Sequence, residues 1–231
     1  MKRLTETLLL AACLAFTLPA TATKSAQKPQ AAAQGEASAQ YDRGVAYYEG
    51  RGVLQDFTHA RQWFEKAAAQ GHAGAQNKLG VMYYEGQGVP QDYGQARHWF
   101  EKAAMQGDVH AQIRLGLMYA QGQGAPQDDV QARRWFREAA AQGVAAAQSV
   151  LASMYAQGRG GPQDHEQARH WYEKAAAQGD TPAQLSLGVM YALGEGAPQD
   201  LRQAKEWFGR ACDGGSQLGC EEYARFSQMG Y

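Results

Sequence analysis

The sequence has almost no excess charge of either sign. Its 231 residues carry 22 Lys and Arg against 23 Asp and Glu, a net charge of −1. Such a balance offers no basic stripe to a phosphate backbone, so nucleic acid is not an expected partner. No apolar run is long enough to span a bilayer: the longest, Leu8 to Leu18, is too short and is followed by Pro19. Nucleophile motifs are missing too, except for a Ser-x-x-Lys match at Ser25 to Lys28. That match falls in a stretch with no core-forming residues, and we read it as coincidence.

The short apolar run has another use. Lys2 and Arg3 precede it, and Ala20-Thr21-Ala22 supplies the small-x-small pattern of an export signal, predicting cleavage after Ala22. Leu10-Ala11-Ala12-Cys13 also has the form of a lipobox, which would place a lipid on Cys13. Against that, apolar residues continue through Leu14, Ala15 and Phe16, and Glu6 cuts short the run ahead of Cys13. The expected location is periplasmic or secreted. Residues 23–36 are rich in Ala, Gln and Lys, without aromatic or branched aliphatic side chains, and read as a flexible tether.

What is abundant is repetition. Trp63, Trp99, Trp135, Trp171 and Trp207 each stand 36 residues after the last. Gly50, Gly86, Gly122, Gly158 and Gly194 keep the same step, as do the columns headed by Gly52, Tyr47 and Asp56. This is a tandem array, with units at 37–72, 73–108, 109–144, 145–180 and 181–216.

One unit shows how each should fold. Ala75, Leu79, Met82 and Tyr83 recur at helical spacing over residues 74–85, which predicts a first helix, A. Gly80 inside it costs about 1 kcal/mol relative to Ala, a cost tolerated where another backbone must come close, so it reads as a contact point between helices. Gly86 and Gly88 end helix A with positive φ angles, and Pro90 blocks continuation. Asp92 is a natural N-cap for helix B, with Gln95 completing a capping-box pattern. Ala96, Trp99, Phe100, Ala103 and Ala104 form its apolar stripe. One such pair cannot bury enough surface alone, so stacked pairs must share a core.

The string Leu79-Gly80-x-x-Tyr83-x-x-Gly86-x-Gly88-Val89-x-x-Asp92-x-x-x-Ala96-x-x-Trp99-Phe100-x-Lys102-Ala103-Ala104-x-x-Gly107 resembles the Sel1-like repeat, which is related to tetratricopeptide arrays. It departs from the pattern at Arg43, which replaces the Leu in unit one, and at Ala152, which replaces the Gly in unit four. The resemblance implies an all-α, right-handed α/α superhelical solenoid that binds another protein or peptide on its concave side. It further implies a secreted or periplasmic scaffold rather than an enzyme. The alternative, an envelope hydrolase or β-lactam-binding protein, comes from the cysteine-rich branch of that family and finds no catalytic residue here.

Cys212 and Cys220 face each other across the turn Asp213-Gly214-Gly215-Ser216, within disulfide reach for a helical hairpin. The stretch is similar to the cysteine-rich branch, in which every repeat carries such a bridge. A redox or metal site would want closer spacing or more ligands. Residues 217–231 then read as a lone capping helix, with Tyr223 and Ala224 in the Leu-Gly columns.

Histidines 59, 72, 98, 110, 165 and 170 show no ligand spacing, and no metal or cofactor is expected. The Asp column is explained by capping. Helical spacing among alanines makes the Trp column read as core. The basic column Arg61, Arg97, Arg133, Arg169 and Lys205 reads as an outer face paired with Glu65, Glu101 and Glu173.

If helix A lines the concave side, the positions that the repeat leaves free should face the partner. These form a stripe at i, i+4, i+7: Tyr41, Val45, Tyr48; Asn77, Val81, Tyr84; Ile113, Leu117, Ala120; Ser149, Ser153, Ala156; and Leu185, Val189, Ala192. Tyr48 and Tyr84 are the expected anchors. The competing reading is that Val81, Leu117 and Val189 only complete packing between A helices. The chain is expected to be a monomer.

Overall fold

The computed structural model describes residues 22–231, with side chains described from residue 35 onward. The expected signal segment through residue 21, Cys13 included, lies outside the described residues. The described residues form eleven helices and no strand. α1 (Ala22–Glu49) pairs with α2 (Phe57–Ala69), α3 (Ala73–Glu85) with α4 (Tyr93–Met105), and α5 (Val109–Gln121) with α6 (Asp129–Ala141). α7 (Ala145–Gln157) pairs with α8 (His165–Ala176) and α9 (Thr181–Leu193) with α10 (Leu201–Asp213), and α11 (Gln217–Gln228) closes the array. Each helix packs on the next in chain order, and α3 also touches α5 directly. The result is an all-α superhelical solenoid.

α1 runs through residues 23–36, where composition suggests a tether. Ala, Gln and Lys are good helix formers, so that composition is compatible with a helix. A Cβ placed on Gly35 would meet nothing, and the first buried side chain described is Ala37.

The five B helices start as read. Asp56, Asp92, Asp128, Asp164 and Asp200 each accept the backbone N–H three residues on, at 2.9–3.0 Å. The reciprocal half of the capping box is absent. The N–H of each Asp donates instead to the carbonyl of the Tyr column, as Asp92 does to Tyr83 at 2.9 Å, so the loop is tied to the end of helix A.

The core belongs to the residue after each Trp. Phe64 and Phe100 are completely buried, Phe136 and Phe208 nearly so, and Tyr172 is 8% exposed. Each ring lies against the helix A glycine of its own unit: a Cβ on Gly44, Gly80, Gly116 or Gly188 would come within 2.5–2.8 Å of it. In unit four Ala152 takes the glycine's place, and the ring opposite is the column's one tyrosine. Of the tryptophans read as core, Trp135 is buried at 9% exposure, and the other four are half-buried at the edge of the core. Trp99 packs on a buried cluster drawn mainly from α2 and α3, and Trp135 belongs to one drawn mainly from α4 and α5. Cations cover their outer faces, with Lys66, Lys102, Lys174 and Arg210 centred 4.2–4.5 Å from the rings three residues earlier.

Two further devices join neighbouring units. Arg97 donates through Nε to the Gly124 carbonyl and pairs with Glu101, which accepts from the Tyr119 hydroxyl; Arg169, Gly196, Glu173 and Tyr191 repeat the arrangement. At Arg97 and Arg169 the basic column is thus a clamp between units, while Arg61 makes the expected pairing with Glu65 on its own helix. The second device is a glutamine ladder. Buried Gln76 donates to the Ala68 carbonyl of the preceding unit and accepts from Gln106 of its own at 2.7 Å, and Gln112 and Gln148 do the same with Ala104 and Gln142 and with Ala140 and Gln178. Position 214 is Gly, so the buried Oε1 of Gln184 has no protein partner.

The array ends in the Cys212–Cys220 disulfide, with Cα atoms 4.5 Å apart. The bridge draws α11 onto α10 so closely that a Cβ on Gly219 would touch Ala211 and Cys212. Tyr223, though in the Leu column, is 43% exposed. Phe226, one turn on, is the buried residue and packs on Phe208 at 5.5 Å. Closing so short a loop is worth roughly 2–3 kcal/mol in chain entropy. The Cys212→Ser/Cys220→Ser variant should lose about that much, and hydrogen exchange should show α11 losing protection first. Unchanged protection in α11 would remove the bridge from the stability account.

Candidate binding groove

The A helices of the first three units line a groove of about 680 Å³. Its walls are Tyr41 of α1; Gly74, Asn77, Lys78 and Val81 of α3; and His110, Ile113, Arg114 and Leu117 of α5, with the α5 cap Asp108. Five members of the predicted stripe meet here: Tyr41, Asn77, Val81, Ile113 and Leu117. Leu117 is 43% exposed, more than packing between A helices would leave.

Most of the groove's polar groups are held in place. Asp108 accepts the Ala111 N–H at 2.8 Å and the Asn77 amide at 3.1 Å. The Tyr41 ring stacks on His72, 4.6 Å between centroids, and His72 caps α3 through the Ala75 N–H. Burial, and after it the Asp108 carboxylate, pushes the Tyr41 phenol above its usual range. Lys78 lies over the Tyr48 ring at 4.9 Å and Arg114 over Phe100 at 5.7 Å, so aromatic faces hold both stems.

The expected anchors stand elsewhere. Tyr48 packs edge-on against Phe57 and donates its hydroxyl to Gln87 of the next unit's loop. Tyr84 packs on Tyr93 and donates to Gln123 at 2.9 Å. Burial raises the Tyr48 phenol foremost, then Glu85, with the Gln87 contact opposing. Both tyrosines join units and are absent from the groove lining. Val45 is only 7% exposed and belongs to the core of unit one.

Farther along, Ala120, Ser149, Ser153 and Ala156 are partly buried and stand outside this lining, and Ser153 accepts from Gln157. Leu185, Val189 and Ala192 enter a second, smaller groove of about 200 Å³ with Leu193, Phe208, Leu218, Glu222 and Arg225. The stripe is therefore two surfaces separated by the small side chains of α7. Ser25 and Lys28 fall where side chains are not described.

Sequence reasoning missed Lys78, His110 and Arg114. A signal was present: the column Asp42, Lys78, Arg114, Val150, Ser186 changes type from unit to unit as freely as the stripe beside it.

A stack of α/α pairs with a groove along its A helices is a repeat scaffold of the tetratricopeptide-related class. The Sel1 repeat matches at 37–72, 73–108, 109–144, 145–180 and 181–216, and the chain belongs to that family. Among solved structures it is similar to c5321, a protective antigen of uropathogenic Escherichia coli strains displaying an SLR fold, at 39% identity and TM-score 0.80. That match covers 89% of this chain and 44% of the antigen, so the chain spans less than half of that protein. A Sel1 repeat protein from Oxalobacter formigenes matches at 32% identity and TM-score 0.76, over 86% of this chain and 81% of that one. Helicobacter pylori cysteine rich protein B matches at 23% identity and TM-score 0.45, over 57% and 94%. No curated protein matches the chain. Sel1 repeats form a scaffold typical of protein–protein interaction, generally without enzymatic activity.

Proposed function

We propose that this chain is a periplasmic or secreted scaffold that holds a partner protein or peptide in the groove between α1, α3 and α5. The observation that carries the reading is the exposure of Leu117 beside Val81 and Ile113, in a groove whose other walls are pinned polar groups. Packing alone would have buried such a side chain, whereas a partner gains affinity from covering it. The export-signal pattern and the Cys212–Cys220 disulfide support an oxidising compartment. No described helix is long and apolar enough to cross a membrane.

The test is affinity capture from envelope extract with the chain from Thr23 onward. Leu117→Arg places a charge in the groove, and Val130→Arg makes the same change at an exposed position on α6. Both variants should keep wild-type helicity and melting. A partner held by wild type and Val130→Arg but reduced at least tenfold with Leu117→Arg is the expected result. Equal capture by all three would remove the groove from the function.

A further inference from the structure

The charges in this groove are unevenly answered. Lys78 and Arg114 occupy one repeat column on adjacent A helices and project into the same lining. Among the described residues neither makes an ion pair, whereas Arg61, Arg97, Arg159 and Arg169 each have a carboxylate within 4 Å. The one carboxylate in the lining, Asp108, is occupied by the Ala111 N–H and the Asn77 amide. Glu49 and Glu85 stand at the C-terminal ends of α1 and α3, outside the lining, and Glu49 is paired with Arg51. The column turns neutral after Arg114, with Val150 and Ser186, so this column's positive charge is confined to the groove. Apolar Val81, Ile113 and Leu117 lie within a turn of the two cations.

We propose that the groove takes an extended peptide in which acidic residues accompany apolar ones, its carboxylates met by Lys78 and Arg114 and its apolar side chains by Val81, Ile113 and Leu117. The inference rests on reading this groove as the binding surface. Packed helix axes are about 8–10 Å apart. In an extended chain, side chains two residues apart point the same way about 7 Å apart. Two acidic residues at that spacing therefore reach cations on neighbouring helices, given the length of lysine and arginine stems. Charge-assisted contacts of this kind are worth roughly tenfold each in affinity when partly desolvated.

The probe is a short fluorescein-labelled peptide alternating aspartate with leucine, beside versions carrying asparagine or lysine for aspartate, followed by anisotropy at low salt and at about 0.3 M. Wild type is expected to bind the aspartate peptide at least tenfold tighter than the asparagine one, with the gap narrowing in salt. Lys78→Glu/Arg114→Glu should reverse the preference toward the lysine peptide, and Leu117→Arg should weaken every peptide. If the double reversal does not fold, Lys78→Gln/Arg114→Gln should abolish the preference without reversing it. Equal binding of the aspartate and asparagine peptides, an unchanged preference in the folded double variant, or no binding of any peptide overturns the proposal. If those two peptides bind equally and both are lost with Leu117→Arg, the groove reading survives and only the charge inference falls. If binding ignores Leu117→Arg, the groove reading falls with it.

Discussion

Phe100→Ala is expected to cost about 3–5 kcal/mol, because it empties the centre of unit two. Phe100 is completely buried and fills the space that Gly80 leaves beside α3. The contact should also show as a change of sign. Gly80→Ala alone puts a Cβ 2.6 Å from the ring. The overpacking costs about 1–3 kcal/mol, which exceeds the roughly 1 kcal/mol gained in helix propensity. With Phe100→Ala already present the clash is gone, and the same change should stabilise by about 1 kcal/mol. Thermal or denaturant unfolding of the four proteins in the cycle measures this directly. A Gly80→Ala effect of one sign and size in both backgrounds would mean that the ring and the glycine do not meet.

The second large effect concerns the junctions. Gly124 holds φ at +71°, and a Cβ there would stand 2.3 Å from the carbonyl oxygen of Tyr93 in the preceding unit. Gly124→Ala therefore incurs both the left-handed backbone penalty of about 1–2 kcal/mol and a clash that must separate two units. Its total should be about 3 kcal/mol or more. Gly52 supplies the control. Its φ is +72°, but nothing lies within 4 Å of its Cβ position, so Gly52→Ala should show the backbone penalty alone. Equal losses at the two sites would argue against the loop-to-helix contact as a source of stability.

These residues show what was legible in the sequence and what was not. The fold was legible because packing repeats: a residue that must meet the same neighbour in every unit recurs every 36 positions, so caps, turns and the glycine beneath the ring stand out as columns. Periodicity does not rank burial within a column pair. Trp99 and Phe100 are adjacent and both apolar, and only the structure shows that the Phe is completely buried while the Trp stays half-buried against the cluster of α2 and α3. The glutamine ladder was equally periodic, yet a buried glutamine declares itself only when its two partners, one in the same unit and one in the preceding one, are seen.

The groove was half legible. Variation down the stripe pointed to Tyr41, Asn77, Val81, Ile113 and Leu117, but Tyr48 and Tyr84 vary for a different reason. Their hydroxyls answer Gln87 and Gln123, and where the column turns to Ala120 and Ala156 other pairs hold the junction, such as Arg159 with Asp129 at 2.7 Å. Variation in a repeat column thus marks either a partner or a local exchange of junction contacts, and sequence alone does not separate the two.

The central claim is that the face formed by α1, α3 and α5 is where a partner sits. Site-specific photo-crosslinking tests it most directly, with a photoreactive residue at position 113 in the groove, at exposed position 62 on α2, or at exposed position 138 on α6. In envelope extract the account predicts one discrete adduct from position 113, competed by excess unlabelled protein, and none from 62 or 138. The same adduct from the B-helix positions, with none from 113, would contradict it.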